Sequence, residues 1–236
     1  MQLDRRLFDG KVISSRVYPE FFPMQSTDEV VNLGCGVGPQ AVVYKGNYKR
    51  MVGVDLNADR LEQSKVLLQE HSVTGYETLA APVENTGLPG ESFDHALAID
   101  IIEHLPNPRG ILQEAKRLLK KDGTLLLSVP AMHDHYVHTI KRIGALLGRR
   151  IKELPKGDLD AHNAEMSVRQ WEDLVREQDM KIVSTRATTL WPPLHLYGVP
   201  RFWFTNPLIH AIDGFLCRLP VLKRFGQAYL MTIQKK

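Results

Sequence analysis

Between residues 29 and 130, short apolar runs alternate with stretches of helical period, and this alternation constrains the fold more than any other feature of the chain. Apolar runs of this length, bounded by turn residues, predict buried strands, and the patterns between them predict helices. Successive β-α units build a mainly parallel sheet with helices packed against it. We therefore expect an α/β fold.

Five strands are predicted in this region and two more near the C-terminus. They are "EVVNL" (29–33), "RMVGVD" (50–55), "YETLAAPV" (76–83), "FDHALAI" (93–99), "TLLLSV" (124–129), "KIVSTRATTL" (181–190) and "AYLMTI" (228–233). The predicted helices are "ADRLEQSKVLLQEH" (58–71), "RGILQEAKRLLKKDG" (109–123) and "SVRQWEDLVREQ" (167–178). Gly123 is expected to end the second helix, and Ser167 with Gln170 to form a capping box at the start of the third.

The first strand runs into a glycine loop, "VVNLGCGVGPQ" (30–40). Gly34, Gly36 and Gly38 lack side chains, so a ligand can approach the backbone, and unpaired N–H groups are expected to face it. A phosphate-binding P-loop is excluded because no Gly-Lys-Ser/Thr follows. The dinucleotide pattern G-x-G-x-x-G fails as well, because its third glycine falls on Pro39. The loop is interpreted as a cradle for a small ligand.

An acidic residue follows at the expected distance from this loop. Asp55 ends the second predicted strand, where a carboxylate can accept hydrogen bonds from both ribose hydroxyls of a nucleoside. Any nucleoside cofactor satisfies this pairing of a glycine loop with an acid.

Four ordered motifs resemble those of the class I S-adenosylmethionine-dependent methyltransferases, in the branch of quinone-biosynthesis and other small-molecule enzymes. They are "VVNLGCGVG", "VGVDLNADRL", "FDHALAIDIIEHLPNP" and "LLKKDGTLLLSVP". The resemblance covers roughly residues 28–186. It implies a doubly wound, mostly parallel, seven-stranded Rossmann-like sheet with an antiparallel last strand, and S-adenosylmethionine as the cofactor. We expect one domain, residues 1–236, with a cap insertion at 191–227 between the last two strands.

The same resemblance implies the residues of the cofactor site. Asp55 would hold the ribose, and Asp100 would lie beside the methionine end of the cofactor. The full implied set is Asn32, Gly34, Cys35, Gly36, Asp55, Leu56, Val83, Glu84, Asp100, Glu103 and His104. Asn32 stands where the family commonly has Asp, and Pro82 replaces an acid that often meets adenine.

Histidines beyond the fifth strand are candidates for a general base. His133 and His135 are the leading ones, and His162 is a second candidate because it follows a Pro-Lys-Gly stretch similar to one in the quinone-biosynthesis relatives. Solvated loop histidines are the alternative. A metal site at His133, His135 and His138 is disfavoured: Asp134 is the only carboxylate beside them in the sequence, and if the segment is helical, His133 and His135 point to nearly opposite faces. No metal is expected.

Residues 191–227 are too aromatic for a disordered linker and too long for a simple loop. Leu208, Ile212, Phe215, Leu216 and Leu219 make an apolar face bordered by Arg218, Lys223 and Arg224. A cap over a hydrophobic acceptor, a helix at a membrane surface and core packing against the sheet all remain open.

These features together predict methyl transfer from S-adenosylmethionine to an oxygen or carbon of a small, hydrophobic, lipid-like acceptor. A net charge of +3 and no Asn-Pro-Pro-Tyr type motif disfavour RNA and other nucleic acids. Two cysteines at no ligand spacing and no signal peptide favour a cytoplasmic protein, with peripheral membrane contact as the alternative. A non-catalytic binding module and an NAD(P)-dependent oxidoreductase remain as rival functions.

Overall fold

A computed structural model describes residues 17–131, 166–188, 190, 207–219, 221–222, 226 and 228–236. Seven strands lie in these parts of the chain: β1 Glu29–Leu33, β2 Arg50–Asp55, β3 Tyr76–Ala80, β4 Phe93–Ala98, β5 Leu119–Pro130, β6 Met180–Ala187 and β7 Ala228–Lys235. The helices are α1 Pro39–Val43, α2 Ala58–Glu70, α3 Pro108–Leu118, α4 Val168–Glu177 and α5 Pro207–Leu216, with a 3₁₀ turn at Ile102–His104.

The seven strands form one sheet in the order β3-β2-β1-β4-β5-β7-β6. Strands β1 to β5 pair in parallel, whereas β7 is antiparallel to both of its neighbours. The expected α/β class, the seven strands and the antiparallel last strand are thereby confirmed. One apolar cluster packs on each face of the sheet, and the larger one includes the buried stripe of α4.

Helix α4 begins as its sequence predicts. The hydroxyl of Ser167 accepts a hydrogen bond from the N–H of Gln170, whose side chain accepts one from the N–H of Ser167. This reciprocal cap satisfies two backbone donors at the start of the helix. Val168, Trp171, Leu174 and Val175 are buried.

Several element ends differ from the sequence prediction. Helix α3 ends at Leu118, not at Gly123, because Leu119 already pairs with Phe93 at the start of the long strand β5. Lys120, predicted to be helical, forms an ion pair with Asp94. Strand β3 ends at Ala80, two residues before Pro82, which has no N–H to donate to a sheet. Strand β6 ends at Ala187, and β7 continues to Lys235.

Helix α5 occupies part of the predicted insertion, and it does not bury the apolar face expected of it. Leu208, Ile212 and Phe215 are exposed, so core packing is wrong for these three residues. Residues 191–206, 220, 223–225 and 227 of the insertion lie outside the described residues. Among the helices that the structure describes, none has the length and hydropathy of a membrane span.

Candidate functional site

The candidate site lies where the strand order reverses. Strand β1 stands between β2 and β4, and the chain continues from β1 to one side and from β4 to the other. In open α/β sheets, ligands bind at this switch point, beyond the carboxyl ends of the strands. The glycine loop, Asp55 and Asp100 all follow directly from the carboxyl ends of these three strands.

The three glycines of the loop have different reasons to lack a side chain. All three have positive φ angles, from 54° to 74°. A Cβ at Gly34 would lie 2.6 Å from Cγ1 of Ile101, and one at Gly38 would lie 3.2 Å from the phenol oxygen of Tyr76. A Cβ at Gly36 would meet nothing within 4 Å. Of the three, only Gly36 borders open space that a ligand can fill.

The amides of this loop are already engaged, contrary to the expectation that they face a ligand. The N–H groups of Gly34 and Cys35 donate to the carbonyl of Val54, at 2.8 and 3.0 Å. The N–H of Gly38 donates to the carbonyl of Cys35. These bonds fasten the loop to the end of β2, so the expectation of outward-facing amides is wrong for these residues.

Asp55 connects the loop to the second strand. Its Oδ2 accepts a hydrogen bond from the N–H of Gly36 at 2.8 Å, and its Oδ1 accepts one from the N–H of Asn57 at 2.9 Å. A carboxylate has about four acceptor positions. Two of them therefore remain for hydroxyl donors of a ligand, while the side chain itself is held in place.

Leu56, the residue after Asp55, is 72% exposed. Leu56 follows the carboxylate of Asp55, which holds Gly36, and Gly36 borders open space. This combination of an apolar side chain, an acceptor and bare backbone matches the chemistry of a nucleoside, which has a flat base and a hydroxylated ribose. The residues present therefore fit an adenosyl group.

Asp100 follows β4 and has an uncommon backbone conformation. Its φ is +53°, a region that non-glycine residues rarely adopt and that concentrates at functional sites. The hydroxyl of Ser128, on the neighbouring strand β5, donates to Asp100 Oδ1 at 2.8 Å. Ser128 was missed by sequence reasoning, because only the pairing of β4 with β5 brings it to this acid.

The 3₁₀ turn after Asp100 contains two more of the predicted residues. Glu103 is buried and His104 is partly buried, and Ile101, just before the turn, covers Gly34. Ile101 therefore closes one side of the glycine loop at Gly34. The polar residues of the turn lie against the protein and present little surface to solvent.

The segment after β3 contains the predicted adenine-edge residues. Val83 is buried in the main core, and Glu84 packs against Gly110 of α3, where a Cβ would lie 2.9 Å from Cγ of Glu84. Glu114, which sequence reasoning missed, accepts hydrogen bonds from the N–H and the hydroxyl of Thr86, at 2.9 and 2.6 Å. The segment is thus fastened to helix α3.

The charge on Glu114 is held by its surroundings. Burial opposes the charge, but hydrogen bonds from Arg117 and Thr86 outweigh that effect and lower the pKa of Glu114 from 4.5 to about 2. Arg117 also donates to the carbonyl of Leu88, so one ion pair holds the segment at two points, Thr86 and Leu88. Glu114 is therefore an ionised anchor at neutral pH.

Asn32 and Cys35 are buried beneath the loop. The amide of Asn32 donates to Gln40 at 3.2 Å, which connects β1 to the start of α1. Burial and the nearby charge of Asp55 raise the pKa of the Cys35 thiol to about 12, so it is protonated at neutral pH. Both side chains pack under the site.

Tyr76 fills the space under the loop and was also missed. A Cβ at Gly53 would lie 1.9 Å from the Tyr76 hydroxyl and 2.8 Å from the sulfur of Cys35. A glycine inside a strand signals such a close approach, so Gly53 was the available clue. Tyr76 and Cys35 together support the loop from below.

The predicted bases His133, His135 and His162 lie outside the described residues. Within the described residues, no group of three histidine, cysteine or acidic side chains is arranged to hold a metal ion.

Comparisons with known proteins agree with this geometry. A methyltransferase domain model matches residues 31–127. The ubiquinone biosynthesis O-methyltransferase of Haemophilus ducreyi is 31% identical over 106 residues, which are 42% of this chain and 44% of that protein. The enzyme of the same name from Burkholderia ambifaria is 29% identical over 166 residues, 69% of this chain and 68% of that protein. The chain thus spans less than half of the first of these relatives.

A solved structure, a SAM-dependent methyltransferase of Thermotoga maritima, superposes with a TM-score of 0.63 at 19% identity. The superposition covers 98% of this chain and 92% of that one. Such low identity supports the fold alone. Together with the domain match over the strands that build the switch point, it makes the chain similar to S-adenosylmethionine-dependent methyltransferases.

Proposed function

We propose that this chain transfers a methyl group from S-adenosylmethionine to an oxygen or carbon of a small, hydrophobic acceptor. The observation that carries the cofactor half is Asp55, held by the amides of Gly36 and Asn57 beside open space at the switch point. When bound, the cofactor supplies an electrophilic methyl group on a sulfonium. The protein has to align the acceptor with that group and to accept a proton where the acceptor loses one.

Asp55 and Leu56 bind and orient the nucleoside end in this proposal. The two backbone hydrogen bonds fix the carboxylate before the ligand arrives, so little side-chain entropy is lost on binding. Asp100, held by Ser128 on the next strand, is the polar group assigned to the methionine end. Glu114 holds the segment with Val83 and Glu84 at the adenine edge.

The acceptor half rests on three observations of different kinds. The relatives named above carry the name O-methyltransferase, the stretch "DIIE" after β4 lacks the motif of amino-group methylation, and apolar side chains are exposed on α5. His133, His135 and His162 are the proposed bases. A hydrophobic phenol or enol fits these features better than an amine or a nucleobase.

The cofactor assignment is tested by calorimetry with S-adenosylhomocysteine and with NADH. We expect binding of the first and none of the second. Asp55→Ala should weaken S-adenosylhomocysteine binding by more than about 1 kcal/mol, because a charge-assisted hydrogen bond is lost. Asp59→Ala, which removes an exposed carboxylate in the first turn of α2, is the matched control and should bind as the wild type does.

The acceptor class is tested with radiolabelled methyl transfer from S-adenosylmethionine to alkylated phenols, to alkylamines and to RNA. Methylation of the phenols is the expected result. Product formed only with amines or RNA would refute the acceptor class, and cofactor binding without any product would favour the non-catalytic module.

A further inference from the structure

Helix α5 presents its apolar residues to solvent and its polar residues to the protein. Ile212 is 48% exposed and Phe215 is 65% exposed, whereas Asp213 is 7% exposed and Cys217, just past the helix, is fully buried. Leu208 and Val221 are exposed as well. The polarity of this helix is therefore the reverse of that of α4, whose apolar stripe faces the core.

Hydrogen bonds to the end of β6 hold α5 in this orientation. The N–H of Leu190 donates to Asp213 Oδ1 at 3.0 Å, and the N–H of Ala187 donates to the carbonyl of Cys217 at 3.1 Å. Rotating the helix to bury Phe215 would break the first of these bonds and expose the cysteine. The outward apolar face is therefore part of the folded structure.

The charged residues of the predicted insertion, 191–227, are mostly basic. Asp213 is the only acidic residue between 191 and 227, and it is buried. Four basic residues occur in the same range, namely Arg201, Arg218, Lys223 and Arg224. The side chain of Arg218 is exposed, and its guanidinium lies 3.9 Å from the carboxylate of Glu20, which is exposed as well. An exposed apolar face within a segment whose sequence carries a net positive charge complements an anionic lipid surface.

The size of the face favours a bilayer over a second copy of the chain. Helix α5 has 10 residues and is about 15 Å long. A stable protein interface takes about 800 Å² from each partner, which is more than the few exposed side chains of this helix provide. A helix of this length is also half the roughly 20 residues of a membrane span, so it would lie in the plane of the surface.

We propose that α5 is an interfacial helix that places this protein on the surface of an anionic lipid bilayer. Ile212 and Phe215 enter the boundary between headgroups and acyl chains, and Arg218 contacts lipid phosphates. The helix follows the carboxyl end of β6, at the same edge of the sheet as the end of β5, because Ala187 and Pro130 pair with adjacent residues of β7. The edge that carries the candidate site would thereby face the lipid.

The test compares the wild type with the double variant Ile212→Glu/Phe215→Glu in flotation with vesicles of equal parts phosphatidylglycerol and phosphatidylcholine. We expect the bound fraction of the variant to fall by at least about tenfold, because two charged side chains replace the inserted ones. The matched control is Val66→Glu/Val183→Glu, which makes the same charge change at two similarly exposed valines on α2 and β6. The control should bind as the wild type does.

Three outcomes would overturn the proposal. The first is that the wild type does not bind the mixed vesicles. The second is that the α5 variant binds as well as the wild type. The third is that the control loses as much binding as the α5 variant. If the wild type sediments as a dimer and the α5 variant as a monomer, the apolar face binds a second copy of the chain and not lipid. Binding is measured without cofactor or acceptor, so its failure is distinguishable from failure of the proposed methyl transfer.

Vesicles of phosphatidylcholine alone and a series of salt concentrations separate the contribution of the apolar side chains to binding from that of the basic residues. Weaker binding to neutral vesicles, and a loss of binding as salt increases, are expected if the cationic residues contribute. Binding that is indifferent to both lipid charge and salt would refute the anionic surface. Calorimetry of the α5 variant with S-adenosylhomocysteine, expected to match the wild type, verifies that the variant is folded.

Discussion

The glycine loop and helix α5 both expose large apolar side chains, and the settings of these side chains are different. Beside the glycine loop a single leucine, Leu56, is exposed next to the carboxylate of Asp55. On α5 a row of apolar side chains that includes Ile212 and Phe215 is exposed, in a stretch of sequence that is mostly basic. An isolated apolar group among polar atoms fits a small ligand, whereas a row fits an extended apolar surface.

The two regions nevertheless share one structural device. In each, a buried carboxylate accepts a backbone N–H from a neighbouring loop. At the candidate site, Asp55 accepts from the N–H of Gly36 and Glu114 accepts from the N–H of Thr86. At α5, Asp213 accepts from the N–H of Leu190. Buried polar groups thus determine how each region is held, while the exposed apolar groups indicate the size of the ligand or surface that each region binds.

The largest effect is expected at Gly34. Gly34→Ala should lower the free energy of unfolding by about 3 kcal/mol, because the new Cβ both strains a left-handed backbone and overlaps Ile101. Gly36→Ala, with the same left-handed backbone but open space, should cost only about 1 kcal/mol. Urea unfolding checks both values.

Gly36→Ala should lower ligand affinity clearly, although its expected effect on stability is the smaller of the two. Gly36→Ala places a methyl group in the space proposed for the nucleoside, so its affinity for S-adenosylhomocysteine should fall more than its stability does. If Gly36→Ala binds S-adenosylhomocysteine as the wild type does, the open space beside Gly36 is not the ligand site. The glycine loop would then not differ from α5 in the way proposed.

A smaller effect, and a dependence on pH, is expected at Glu114. Because its pKa is lowered in the folded protein, its contribution to stability is present above pH 4.5 and is lost as the pH falls towards 2. Glu114→Gln should lower the free energy of unfolding at pH 7 by about 2 kcal/mol, and the difference from wild type should shrink below pH 4.5. Urea unfolding at pH 7, 4 and 3 measures it. A difference that does not change with pH would contradict the ionised anchor.

The smallest changes in the free energy of unfolding are expected for variants of α5, whose apolar face is exposed. Asp213→Ala should lower the free energy of unfolding by about 1 kcal/mol, because the N–H of Leu190 loses its acceptor. Phe215→Ser should change it by less than about 0.5 kcal/mol, since the ring is largely exposed. The opposite ranking of these two variants, by thermal or urea unfolding, would mean that α5 buries its apolar face in solution.

The sequence predicted most of the sheet because its signals are local. The continuous apolar runs of β1 and β2, the stripe of α4 and its Ser167 cap each depend on residues within a few positions of one another. The position of Asp55 at the end of β2 follows from the same pattern. Element ends were less well predicted, as at Leu119, where pairing with β4 overrode the helical pattern.

Tertiary structure decided what the local pattern leaves open. Gly34 and Gly38 meet Ile101 and Tyr76, residues on other strands and loops, so their reasons for lacking a side chain are not readable from the loop itself. Likewise, the period of α5 specifies that one face is apolar but not which way it points, and the hydrogen bond from Leu190 to Asp213 turns that face outward. Periodicity separates the faces of an element, whereas contacts between residues distant in sequence determine which face is buried.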